Sequence, residues 1–124
     1  MIAEPGRLLS ESYSHLVSNI IGTKVSSNGH RNYYVNTGLY QAYFYPRLFG
    51  EPGEFIPVCK DIESREKHQT TFWGQTCDSV DYIYKNIQHP MQHTGEWVIT
   101  RDFGAYHCGV SSNFNGFYTK EIFL

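Results

Sequence analysis

At 124 residues the chain is one domain long and too short for a complete (β/α)₈ barrel enzyme, which takes about 250 residues. Hydrophobic residues make up 40% and charged residues only 18%, a balance that excludes a disordered chain. A formal net charge of −2 denies it the basic surface that sequence-independent nucleic-acid binding requires, and no apolar run approaches the ~18 residues of a membrane span.

In chain order, the first regular pattern runs from about Ser10 to Ile21. Leu9, Tyr13, Leu16, Val17, Ile20 and Ile21 recur at three- and four-residue steps and predict a helix with Ser10 as cap and Gly22 as stop. The texture then changes. Lys24–Val35 reads as a β-hairpin turning at Asn28-Gly29, because both residues tolerate positive φ. Further predicted strands are Leu39–Tyr45, Glu54–Cys59, Thr70–Trp73, Glu96–Arg101, Ala105–Val110 and Tyr118–Phe123. Lys60–His68 reads as a charged, solvated connection, and Asp78–Asn86 as a short helix capped by Asp78. Ten Tyr and eight Phe fit half-buried pleated surfaces. The expectation is a mainly β fold, a β-sandwich or partial barrel, preceded by one helix.

Cys59, Cys77 and Cys108 are odd in number and far apart, and the start Met1-Ile2-Ala3-Glu4-Pro5 lacks a basic and apolar leader. Both point to a reducing, cytoplasmic setting. His89 and His93 are four apart, but Pro90 between them spoils a regular helix, and no metal site is expected.

Four short motifs could carry chemistry. In Glu4-Pro5-Gly6-Arg7, Gly6 permits close backbone approach, Arg7 can fork onto an anion, and Glu4 could hold a protonated ring nitrogen. The bland alternative is a surface turn. In Trp73-Gly74-Gln75-Thr76-Cys77-Asp78, the thiol offers a proton donor and the carboxylate an ammonium acceptor; otherwise Cys77 packs behind Trp73 and Asp78 caps a helix. The Tyr of Gly104-Ala105-Tyr106 could reach a phosphate, or could be an ordinary half-buried strand Tyr. Asn113-Phe114-Asn115-Gly116-Phe117 signals a turn whose Phe residues pack into a core or an interface.

In this order, with Asn19-Ile20-Ile21, Tyr33-Tyr34-Val35-Asn36 and Gly95-Glu96-Trp97 between them, these motifs resemble the C-terminal part of eukaryotic ornithine decarboxylase, in the pyridoxal-phosphate-dependent ornithine/diaminopimelate/arginine decarboxylase family. The resemblance implies that residues 1–23 are the terminal segment of a pyridoxal-phosphate (β/α)₈ barrel and residues 24–124 a β-sandwich C-terminal domain. It implies that Glu4 faces the pyridine nitrogen of pyridoxal 5'-phosphate. Gly6, Arg7 and Tyr106 would meet its phosphate. Cys77 would be catalytic, and Asp78 would bind the distal amine of the amino-acid substrate. Both would act across a homodimer interface in the partner's active site.

The intact protein would convert ornithine to putrescine in polyamine biosynthesis. The family lysine that carries the cofactor has no counterpart among Lys24, Lys60, Lys67, Lys85 and Lys120. The expectation is therefore a fragment that is not catalytic alone. Leu48 and Phe49 stand where the family has a Tyr-Asp pair, and Gln75 where it has Pro. The alternative is a non-catalytic, antizyme-inhibitor-type module that pairs with a full-length relative, with antizyme as a possible partner.

Overall fold

A computed structural model describes residues 1–50 and 53–118. Its centre is a six-stranded sheet, curled into a half-barrel, in the order β3-β6-β1-β2-β4-β5. The strands are β1 (Leu16–Val25), β2 (Arg31–Val35), β3 (Phe55–Val58), β4 (Lys67–Trp73), β5 (Tyr82–Pro90) and β6 (Trp97–Thr100). Among the described strands, only β2 and β4 pair in parallel. The partial barrel expected from the sequence is this curled sheet.

β1 shows why the sheet curls. Its first half, Leu16–Asn19, pairs with β6, and its second half, Ile20–Val25, pairs with β2. A bulge between Ile20 and Gly22 separates the two, and bulges bend the strand that carries them. Proline sits where sheet edges tolerate it: Pro57 lies in the edge strand β3 and Pro90 ends the opposite edge strand β5. The β1–β2 hairpin turns at Asn28-Gly29 as expected, with Gly29 at φ 82° and its N–H donating to the Ser26 carbonyl at 2.9 Å.

The helix expected over Ser10–Ile21 is corrected. Helical structure there is limited to α1 (Arg7–Ser10) and a 3₁₀ turn, Glu11–Tyr13; the chain then enters β1. Val17, Ile20, Ile21, Thr23 and Val25 are β-branched and favour the pleated surface. Burial alternates: Ser18 and Ile20 point inward while Val17 and Ile21 stay exposed. An apolar pair at Ile20-Ile21 satisfies a helical stripe on paper, but here it straddles the sheet.

Three other expectations are corrected. Leu39–Tyr45 is not a strand but a π-helical turn (Leu39–Tyr43) running into α2 (Phe44–Phe49). Asp78–Asn86 is a turn followed by β5 rather than a helix, since Tyr82, Ile83 and Tyr84 alternate against β4. Ala105–Val110 is loop and a 3₁₀ turn at Cys108–Val110. The expected strand Tyr118–Phe123 lies outside the described residues except for Tyr118.

The helical segment 39–49 plugs the concave face. Tyr43 is fully buried between Phe55 and Phe103, ring centroids 5.7 and 5.0 Å away, and its hydroxyl bonds Thr100 Oγ1 at 2.7 Å. Ile20, Tyr33, Val35, Phe72, Ile83 and Val98 complete the core from the strands. At the rim, Arg65 clamps Glu96 with two bonds of 2.7 Å and also reaches Asp61 at 2.8 Å. This fork ties the 60–66 connection to the turn before β6 and holds the Glu96 carboxyl below its ordinary pKa.

Candidate functional site

The sequence-predicted residues gather in two clusters. The first joins opposite ends of the chain. The loop after β6 folds back on the segment before β1: Phe103 N–H donates to the Ser14 carbonyl at 2.8 Å, and Gly104 N–H to the Glu11 carbonyl at 2.9 Å. A Cβ at residue 104 would overlap the Ser10 carbonyl, so the approach requires glycine. Two residues on, Tyr106 adopts φ 61° and turns its ring toward residue 6. A Cβ at residue 6 would overlap the Tyr106 hydroxyl.

Arg7 follows. Its guanidinium lies 5.2 Å above the Tyr45 ring and donates to the Glu11 carboxylate. Tyr45 first, and Glu11 second, hold the Arg7 pKa above its ordinary value. Tyr45 also stands 5.5 Å from the Tyr106 ring. A cation, a phenol and a residue without a side chain thus share one spot, a combination that suits a phosphate group. Glu4 is exposed, and no hydrogen bond ties it to the cluster.

Beside them opens a cleft of about 350 Å³ lined by Arg7, Glu11, Glu54, Arg101, Asp102 and His107. His107 is buried, stacked on Phe103 at 3.8 Å, and its Nδ1 has no hydrogen-bond partner among the described residues. Burial, and then the charge of Arg7, push its pKa down.

The second cluster holds Cys77 and Asp78. Asp78 accepts from the Tyr40 hydroxyl and, through Oδ1, from Val80 N–H at 3.0 Å. The Tyr40 bond keeps the Asp78 carboxyl below its ordinary pKa and pushes the phenol up to about 12. Cys77 is exposed, and Asn115 Nδ2 donates to its Sγ at 3.2 Å. Phe114 packs on Tyr40 at 4.4 Å, which brings the Asn113–Phe117 motif to the same place. An exposed thiol next to a carboxylate kept ionised can donate a proton and hold an ammonium group.

Asp81 builds this loop and was missed in the sequence. It is buried and accepts from Leu39 N–H at 2.7 Å, Thr76 N–H at 3.0 Å and Thr76 Oγ1 at 2.7 Å. Its carboxylate fits only because residues 38 and 74 are glycines. The signal was the alternation of Asp81 and Ile83 with Tyr82 and Tyr84, which a helical reading of 78–86 hides. Tyr40 was hidden in the same way inside an expected strand. The segment 39–49 carries Tyr40 to one cluster and Tyr45 to the other.

Residues 10–104 match the family model described as "Pyridoxal-dependent decarboxylase, C-terminal sheet domain". The chain is 34% identical to ornithine decarboxylase of Cricetulus griseus, over 99% of this chain and 29% of that protein. It is equally 34% identical to antizyme inhibitor 2 of Xenopus laevis, over 98% of this chain and 29% of that protein. Its fold superposes on the Paramecium bursaria Chlorella virus arginine decarboxylase bound to agmatine with a TM-score of 0.87 at 31% identity, covering 94% of this chain and 31% of that one. The chain belongs to the pyridoxal-dependent decarboxylase family, in its C-terminal sheet domain. It spans less than a third of the length of these relatives.

Proposed function

We propose that this chain is the C-terminal portion of a pyridoxal-phosphate-dependent ornithine decarboxylase-like protein, with two half-sites that serve different active sites of a dimer. The observation that carries this reading is the meeting of Gly6 and Arg7 with Tyr106 from opposite ends of the chain. Gly6 lets the Tyr106 hydroxyl close on the backbone beside Arg7, and a phenol and a guanidinium so placed fit the phosphate end of pyridoxal phosphate. When bound, that group supplies the electron sink for loss of CO₂. Arg7 and Tyr106 would hold its phosphate, and Glu4, at the exposed approach, would meet its ring nitrogen. Cys77 would donate a proton to the carbon left behind by CO₂, and Asp78 would hold the substrate's distal ammonium.

The sequence-based division at residue 23 moves under this proposal. β1 runs through that position from Leu16 to Val25, which supports a barrel-derived segment that ends ahead of Leu16. Assembly, substrate and a cytoplasmic location belong to the same proposal. No helix among the described residues is long and apolar enough to cross a membrane.

The test is complementation. The chain is co-expressed with a full-length ornithine decarboxylase disabled at its own interface cysteine. Recovered release of CO₂ from ornithine in the mixed assembly, lost again with Cys77→Ala, is the expected result. The isolated chain is expected to release none. Co-purification without recovered activity would favour the second reading, a pairing module of the antizyme-inhibitor type. The identity to antizyme inhibitor 2 and the exposed Leu8, Leu9 and Tyr13 support that reading.

A further inference from the structure

Arg7 does not stand free to meet an anion. Its Nη1 donates to the Glu11 carboxylate one helical turn on. The pair runs basic to acidic along the chain, the weaker order for an i,i+4 pair on a helix, and α1 already ends at Ser10. Glu11 caps α1, its N–H donating to the Arg7 carbonyl, and the tertiary fold holds it from the other side. Its carbonyl is held by Gly104 N–H at 2.9 Å, and the neighbouring Ser10 carbonyl sits where a side chain on residue 104 would be. The loop that presents Tyr106 to residue 6 therefore also fixes Glu11 beside Arg7. Both side chains are about one-third exposed, so they remain within reach of a solute.

We propose that Glu11 is an internal competitor for the phosphate position: its carboxylate occupies Nη1 of the Arg7 guanidinium, and a phosphate monoester entering between Gly6, Arg7 and Tyr106 competes with it for that donor. This rests on the reading of Arg7 as a phosphate-binding residue. The chemistry is an exchange of one oxyanion for another on the same guanidinium. Two anions cannot share the fork without repulsion, so the carboxylate swings toward solvent as the phosphate arrives. Glu11 touches neither substrate nor cofactor; it is a positioning residue that sets the affinity of Arg7 for phosphate.

The test titrates the complete 124-residue chain with inorganic phosphate and follows the backbone amides of Arg7, Tyr106 and His107 by NMR. Four proteins are compared: the parent, Glu11→Gln, Arg7→Gln and the double variant. Glu11→Gln is expected to tighten phosphate binding about two- to five-fold, the range a partly exposed ion pair supports, and the gain is expected to vanish in the double variant. A merely structural role for Glu11 would not make its effect depend on Arg7. If Glu11→Gln binds like the parent while Arg7→Gln weakens binding, the competitor role is overturned and the phosphate role of Arg7 stands. If Arg7→Gln changes nothing in either background, the phosphate role falls and the competitor role with it. Glu11→Ala repeats the comparison should the Gln variant fold poorly.

Discussion

The hydroxyl of Tyr106 occupies the space in which a side chain on Gly6 would lie. The relationship is exclusive, so either partner can be changed to test it. Gly6→Ala is expected to push the Tyr106 ring out of its place beside Gly6 and Tyr45 and weaken phosphate binding. Adding Tyr106→Phe removes the clashing oxygen, so Gly6→Ala should then perturb the loop far less. Amide shifts of Gly104–His107 in the three variants measure this; equal perturbation by Gly6→Ala in both backgrounds would contradict the contact.

At the other cluster, the Tyr40 hydroxyl stabilises the ionised form of Asp78. Tyr40→Phe deletes that bond and is expected to raise the Asp78 pKa toward the ordinary carboxylate value, since the charged form loses its main stabiliser. Carboxyl carbon titration by NMR checks the direction. An unchanged or lower pKa would show that Val80 N–H alone sustains the charge.

The strand at 16–25 can be separated from a helix by two alanines. A helical stripe makes Ile20 and Ile21 equivalent. The strand buries Ile20 completely and leaves Ile21 48% exposed. Ile20→Ala is expected to cost about 2–5 kcal/mol in urea unfolding, and Ile20→Val about 0.5–1.5 kcal/mol. Ile21→Ala should cost much less than Ile20→Ala. Comparable losses would favour the helical reading.

These two residues also show where sequence reasoning runs out. Short apolar runs satisfy periods of 2 and 3.6 together, and only pairing with β6 and β2 decides between them. The Asn28-Gly29 hairpin was legible because its turn chemistry is local. The Arg7–Tyr106 association rests on motif order alone, because no local rule brings residues from the two ends together. Asp81 and Glu11 stayed hidden because their roles depend on glycines 38, 74 and 104, whose importance lies in the side chains they lack, and Tyr40 because a strand reading conceals the helical segment that carries it.

Two histidines make stability depend on pH near neutrality. His89 is buried against Phe72, 4.8 Å away, and bonds Gln92 Oε1 at 2.8 Å. Burial lowers its pKa, and it does the same at His107. A depressed histidine favours the folded state while neutral. Its contribution is complete above the unfolded value of about 6.5 and is lost as pH falls through the folded value. The midpoint of urea unfolding is expected to fall between pH 7.5 and 5.5, and His89→Gln should flatten that dependence without abolishing it, since His107 remains. The Arg65 partners Glu96 and Asp61, whose pKa values are lowered, lose their contribution only at more acid pH, in the carboxylate range.

The central strand β1 has a local hairpin partner, β2, on one side and a distant one, β6, on the other. Leu16 pairs with Thr100, and the far side of β2 lies parallel to β4. Closing such loops costs entropy before any contact repays it, so folding of this chain should be slow for its size. Until Trp97–Thr100 has been synthesised and docked, the Leu16–Asn19 half of β1 presents a bare edge with Val17 exposed beside it. Strand addition from another chain can capture such an edge, so the time before β6 arrives is when this protein is most exposed to aggregation.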